Sequence, residues 1–508
     1  MPAPTVILKS QPGIKRDGTK FDGDFYTDGQ WVRFQRGLPR KIGGYRSINK
    51  YLSEISRGFT SFTQMSIQYC HSAGASLVQR FTIDASKNSS IISDRTPTTL
   101  VDSAQNRWMF NYEFDSSTTD NLLLAHVAPN GGCLCNDEGG QIFYGDVTGT
   151  AALAEVTLPA GANVTGGIVA LHPYLFYYGT AGIVGWSVAG APTDLSGAGS
   201  GIARVWGQKI VKGMPLRAGA GSAPAGLFWA YDAVIRATFT GGTTVFQFDV
   251  ISTDTSIMSA DSVVDYDGVF FWAGVDRFMM FNGVVRDVPN TLNVNWFFDN
   301  LNESQRSKVF AFKVPRFGEI WWAYPRDDAT ECTHAVVYNV RENTWYDTAL
   351  PASGRAAGGF NNAFASPLLT DAVPTESGYR VWIHEQGVDE IDGTNISPVQ
   401  SYFETADLSS LVQGNDARLR ITTIEPDFIQ AGPMSVQITG RANARAPEVY
   451  SQQFVFPESA SAPYEQIVML KEMRRELRVR FESNAVGGNY QMGQIVGHID
   501  NGDRTVLG

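Results

Sequence analysis

An all-β architecture is predicted by three features of this 508-residue sequence. Apolar and aromatic runs of about five residues recur along the middle of the chain, split by glycine-centred turns. Glycine is abundant at 51 residues and aromatics reach 12%, while only 18% of residues are charged, a turn-rich and strand-rich composition. The runs group into units roughly 45–55 residues apart, near the repeat length of propeller blades. The expected fold is therefore a β-propeller of six or seven degenerate blades over residues 56–404. An extended N-terminal arm (1–55) precedes it and a β-sandwich (405–508) follows.

The arm is marked by successive turn signals at Pro12-Gly13, Asp17-Gly18, Asp22-Gly23 and Asp28-Gly29. Gln30 to Gln35 is a plausible strand, closed by Gly43-Gly44-Tyr45. With little apolar sequence of its own, the stretch reads as an extended, surface-hugging first strand with solvated charges, or, in a sharper reading, as an assembly arm that contacts a neighbouring subunit. Its charge agrees: residues 1–50 hold ten Lys and Arg against four Asp, a local +6 that leaves −17 on the rest of a chain whose net charge is −11. A basic arm on an acidic body suits an acidic partner. Lys15, Arg16, Lys20, Arg33, Arg36, Arg40 and Lys41 are the assembly-contact candidates.

Blade-like units then follow. Asn121–His126 and Gly140–Tyr144 flank an Asn-Gly-Gly turn, Ile168–Tyr178 leads to Ile183–Trp186, and Leu227–Tyr231 leads to Val245–Phe248. The clearest pair spans residues 262–350. In the first, Asp267-Gly268, Gly274-Val275-Asp276 and Asn282-Gly283 punctuate four short runs; Asn-Gly and Asp-Gly tolerate the positive φ of tight hairpins. Trp296, Phe297, Phe298 and Leu301 suggest a short helical connector, with Asn302 and Gln305 at capping-box spacing. Runs at 309–314, 319–324, 334–338 and 344–346 make the second unit. Arg380–His384 precedes Gly387-Val388-Asp389, the tripeptide already seen at 274–276. Beyond Glu404, the alternation of Leu477, Val479 and Phe481 with Glu476, Arg478 and Arg480 predicts a half-buried antiparallel sheet with its charges facing water.

Chemistry is sparsely signalled. Four cysteines do not make a disulfide framework in so long a chain, and reduced thiols in a cytosol are expected. No signal-peptide layout opens the sequence and no apolar run reaches spanning length. Cys133-Leu134-Cys135 and Cys332-Thr333-His334 supply zinc-type ligands, but without a Cys-x-x-Cys pair or anything that brings the two together. Nucleophile elbows, P-loops and His-Glu-x-x-His are missing, as are the aspartate boxes of sialidase-like propellers. No enzyme activity, metal or cofactor is expected. Val337–Trp345, with Arg355 and Gly358-Gly359, is similar to a single kelch unit and speaks only for the fold.

One resemblance goes further. Pro12-Gly13-Ile14-Lys15-Arg16-Asp17-Gly18-Thr19, the stretch Gln30 to Tyr45, and the block Asn300–Gln305 with Phe317–Trp322 together resemble the tail nozzle proteins of short-tailed bacteriophages, also called tail accessory or packaged-DNA stabilisation proteins. The resemblance implies a virion tail protein, made in the host cytoplasm, that forms a sixfold homo-oligomeric ring below the portal and adaptor. Such a ring continues the DNA channel, helps retain and release the genome, and adjoins fibres or a needle at the host envelope. DNA would pass without sequence-specific binding, since a basic lining would hold phosphates by counterion release. Asp265, Asp267, Asp276, Asp389 and Glu390 are the candidates for an acidic channel lining. The alternative is a receptor-binding tail protein that recognises a host surface glycan.

Overall fold

The computed structural model describes residues 5–20, 24–128, 139–216, 223–242, 244–411, 417–443, 445–458 and 467–504. Six four-stranded antiparallel sheets follow one another, at residues 58–94, 107–155, 167–204, 210–252, 264–287 and 310–349, each with its strands in sequence order. A seventh sheet takes three strands from residues 357–384 and its fourth, Tyr45–Leu52, from far upstream. The first strands of the seven sheets form a ring in which Ala357–Asn361 returns to lie beside Gly58–Gln64. This is a seven-bladed β-propeller. Its closure joins Tyr45–Leu52 antiparallel to Tyr379–His384, and the hairpin Asp389–Asp392 with Asn395–Pro398 extends the seventh blade further.

Local chemistry explains the strands that were legible. Asp267 and Gly268 take φ of 53° and 84°, the double positive φ of a type I′ hairpin, and Tyr266 pairs directly with Val269 across it. The connector after the fifth blade is a helix at Val294–Asp299 and a 3-10 turn at Glu303–Lys308. Asn302 caps that turn by accepting from the Ser304 amide at 3.2 Å, but Gln305 Nε2 turns to the Ser304 hydroxyl at 3.4 Å, so only the N-cap half of the expected capping box forms. Large aromatics lock blade to blade. Trp229 and Trp272, on the second strands of the fourth and fifth blades, are fully buried with ring centroids 5.6 Å apart. The Trp272 and Trp322 indoles each donate at 2.9 Å to a carbonyl of the linker that enters the fifth blade, Ser256 and Ser262 respectively.

Apart from a parallel pair, Gln11–Ile14 with Phe25–Tyr26, the remaining strands form a sandwich of two six-stranded sheets. One contains Ala417–Ala431, Val468–Arg474 and Asn489–Arg504, and the other Ser401–Glu404, Met434–Arg441 and Glu476–Ser483. Ile421, Ile424 and Phe428 meet Val436, Ile438, Val479 and Phe481 in its core. Leu477, Val479 and Phe481 do point inward. Arg478, expected in water, does not: it is buried and bridges Glu404 and Glu448.

The N-terminal stretch runs extended, as read, but it does not project. Thr5–Leu8, Asp28–Gln30, Val32–Gln35 and Leu38–Lys41 are strands of the sandwich, and Tyr45–Leu52 closes the propeller. Ile14, Trp31, Val32, Phe34, Ile42 and Tyr45 belong to the largest apolar cluster, shared with the sixth blade and the sandwich. Gly13 shows how tight the fit is: at φ of 110°, an added Cβ would lie 2.4 Å from Leu292 and 2.8 Å from the Trp345 carbonyl. The sequence offered too few apolar residues for a separate core; those it has complete cores supplied by distant strands.

Buried histidines give the fold an acid limit. Arg355 Nε donates to His384 Nε2 at 3.0 Å, which requires a neutral ring. Burial, and then the neighbouring arginines, push His71 and His384 well below the usual range. Burial foremost takes His126 and His334 to about 4. A base whose folded pKa is depressed stabilises the fold fully above its unfolded value, near 6.5, and loses that contribution as the pH falls toward the folded value. The thermal midpoint should therefore hold steady above about pH 6.5 and fall between about pH 6.5 and 4. A midpoint flat down to about pH 4.5 would contradict this assignment.

Candidate functional site

The basic residues singled out in the N-terminal stretch form a joint within the chain. Arg33 is buried and pairs with Glu319, Nε to Oε1 at 2.7 Å, and also with Glu385. Glu319 further accepts from Tyr346 Oη at 2.7 Å and Trp321 Nε1 at 2.9 Å, while the Arg33 guanidinium lies 3.7 Å from the Phe317 ring centroid. Arg16 bridges Asp347 at 2.9 Å and Asp28 at 2.6 Å. Buried Lys41 donates to the Gly488 carbonyl at 2.7 Å, and burial lowers its pKa to about 8. Arg40 donates to Gln35 at 2.7 Å, and Lys20 reaches Glu448 at 3.4 Å. Arg36 is exposed, while its own amide and that of Gly37 rest on the Glu342 carboxylate at 3.0 and 3.2 Å. Lys15 is half-buried on the same segment. Three of the seven expected contact residues, Arg16, Arg33 and Lys41, are spent inside the fold and are corrected as contacts for another protein.

The N-terminal stretch also contacts the connector helix and the second strand of the sixth blade. Asp17 accepts from the amides of Asn295 and Trp296 at 2.9 and 2.8 Å, at the start of the connector helix. Phe317 and Glu319 receive Arg33, and the Trp321 indole donates to Glu319 beside it.

The acidic candidates are not brought to one surface. Asp265 accepts from the Gly268 amide at 2.8 Å and Asp267 occupies the hairpin itself. Asp276 pairs with its neighbour Arg277 at 3.2 Å in an exposed turn. Asp389 is buried and takes the Gly487 amide at 3.0 and 2.9 Å, and Glu390 accepts from Tyr45 at 2.9 Å. Turn geometry and domain joining account for all five. Of the zinc-type residues, buried Cys332 lies against the Lys308 carbonyl at 3.2 Å, whereas Cys133 and Cys135 fall outside the described residues. No metal-binding group of three or more ligands occurs among the described residues.

What closure of the ring creates is a central channel. Its first compartment, about 360 Å³, is walled by the inner strands, with Phe59, Trp108, Ile168, Met214, Phe310 and Ala357 among the contributors. A second of about 290 Å³ opens toward the ends where those strands begin, and shares Arg107, Trp108, Met109, Asp261 and Ser307 with the first. Charge in the channel is predominantly positive. Arg57, Arg107, Lys212 and Lys308 line the first compartment against Asp261 alone. Glu331 stands behind them, held by both Arg57 Nη atoms at 2.8 and 2.7 Å and by Lys308 at 2.7 Å. Burial alone would raise the Glu331 carboxyl; Arg57 and Lys308 together hold it below its ordinary value. Sequence reading missed these cations. Arg57, Arg107 and Lys308 sit within two residues of the start of an inner strand, a signal visible only once the blades are aligned.

The chain is thus a seven-bladed β-propeller interlaced with a β-sandwich. No protein-family model matches it. No curated protein matches it either. Among solved structures it is similar to the crystal structure of the WD40 β-propeller domain of Doa1, at 10% identity and a TM-score of 0.40, over 67% of this chain and 97% of that one.

Proposed function

We propose that this protein is a structural component of a short-tailed phage tail, a nozzle-type subunit that assembles into a homohexameric ring continuing the DNA channel below the portal and its adaptor. The family resemblance motivates the reading. The observation that supports assembly is an apolar outer face on the sandwich sheet ending in Val468–Arg474. Val468 and Leu470 point into the core, while Met469 is 75% exposed and Ile467 and Met473 are exposed beside it. Ile429, 76% exposed, and Ile7 lie on other strands of the same sheet. Val468–Arg474 is also the sheet's edge strand. An edge strand carrying exposed methionine and isoleucine is a liability in a monomer and an interface in an oligomer. A ring of such subunits, each with net charge −11, presents phosphates with a surface that repels them.

Two experiments test this. Light scattering across a concentration series should show a closed oligomer of six copies. Ile429→Glu with Met469→Glu should keep the chain monomeric without lowering its thermal midpoint. Gold labelling of purified particles through a C-terminal tag should then mark the tail axis. A wild-type protein that stays monomeric at every concentration removes the assembly claim. Label on peripheral appendages moves the function to host recognition.

A further inference from the structure

The first compartment of the propeller channel holds more positive charge than the carboxylates around it neutralise. Four cations, Arg57, Arg107, Lys212 and Lys308, stand around two carboxylates, Glu331 and Asp261. Their pairing is uneven. Arg57 spends both Nη atoms on Glu331, Lys308 divides itself between Glu331 and the Thr330 carbonyl, and Lys212 reaches Asp261 only at 3.5 Å. Arg107 makes a single long bond, from Nη1 to its neighbour's carbonyl at 3.4 Å, and its Nε is buried without a protein partner. Arg107 is also the one of the four that lines both compartments. A guanidinium withdrawn from water normally finds a carboxylate or phosphate, because its planar fork suits two parallel bonds to such oxygens.

We propose that the propeller channel is a binding site for a small phosphate-bearing anion, received by the Arg107 guanidinium with Lys212 and Lys308 beside it. The inference does not depend on the tail reading. Burial, and then repulsion from Arg57, lowers the Arg107 pKa to about 10, the condition that an incoming anion relieves. Net charge suits a dianion: two carboxylates offset two of the four cations. Space suits a phosphate with a small organic group, since about 360 Å³ well exceeds one oxyanion and the walls include Trp108, Ile168, Val169 and Met214. Inorganic phosphate and a phosphate monoester share the recognised chemistry.

Isothermal titration of the full chain with inorganic phosphate, repeated with a phosphate monoester, tests the site. Saturable binding of inorganic phosphate is expected, weakened about tenfold or more in Arg107→Met, less in Arg107→Lys, and unchanged in Arg236→Met, a control at the exposed Arg236–Asp249 pair. Tighter binding of the monoester would identify an organic phosphate as the occupant, and equal binding would identify the free ion. If Arg107→Met does not fold, Lys212→Met takes its place, with the same weakening expected. No saturable binding up to about 10 mM, or equal binding by wild type and Arg107→Met, overturns the proposal.

Discussion

Arg33→Met is expected to destabilise the protein by about 3–5 kcal/mol, the range for removing one partner of a buried ion pair. The loss comes from what is left behind. Glu319 is fully buried, and without Arg33 it keeps only Tyr346 and Trp321 as donors. Burial already raises the Glu319 carboxyl, so the variant should take up a proton there rather than hold the charge. Glu319→Gln in the same chain should recover part of the loss, because a neutral amide needs no counter-charge. Chemical denaturation of the wild type, the single variant and the double variant measures both effects. A single variant within about 1 kcal/mol of wild type would show that the Arg33 joint contributes little, as exposed pairs do.

Truncation before Glu54 should have a still larger effect. It removes the fourth strand of the seventh blade and the strands 5–8, 28–30, 32–35 and 38–41 from the sandwich. Trp382, Ile383 and Leu369 then lose the cover of Tyr45, Ile48 and Leu52, and the last blade ends on an open edge. The expected product is insoluble, or soluble with β-type far-ultraviolet dichroism but no cooperative unfolding transition. A truncated chain that unfolds cooperatively at the wild-type midpoint would show the ring closes without its N-terminal strand.

How much of this was legible follows from the range of the interactions. The fifth and sixth blades could be read because everything that defines them is local. Asp267-Gly268 fixes a two-residue hairpin, and runs such as 319–324 are long enough to be fully buried strands. The identity of the seventh blade's fourth strand was not legible, because Tyr45–Leu52 finds its partner more than 300 residues away. Charge misled for the same reason. Arg33 in isolation looks like a solvated cation; only Glu319 and Glu385, from the sixth and seventh blades, show it to be internal. Conversely, Asp265 and Asp389 looked available for a channel, and backbone amides claim them. The four cations of the first compartment escaped notice because no two of them share a blade.

The interlacing also sets an order of events on the ribosome. Thr5–Leu8 pairs with Asn489–Arg504, and Leu38–Lys41 reaches the same strand, so segments made first wait for the last strand described. Blades one to six need only neighbours in sequence and can form as they emerge. The seventh blade waits for Tyr379–His384 and the sandwich for Asn489–Arg504, with the early strands unpaired in the meantime. At about 5–20 residues per second, that exposure lasts roughly half a minute or more. Loop closure over such separations is slow, and unpaired edges aggregate while it proceeds. Yield of this protein should therefore depend less on its final stability than on how well its first 50 residues are shielded while the rest is made.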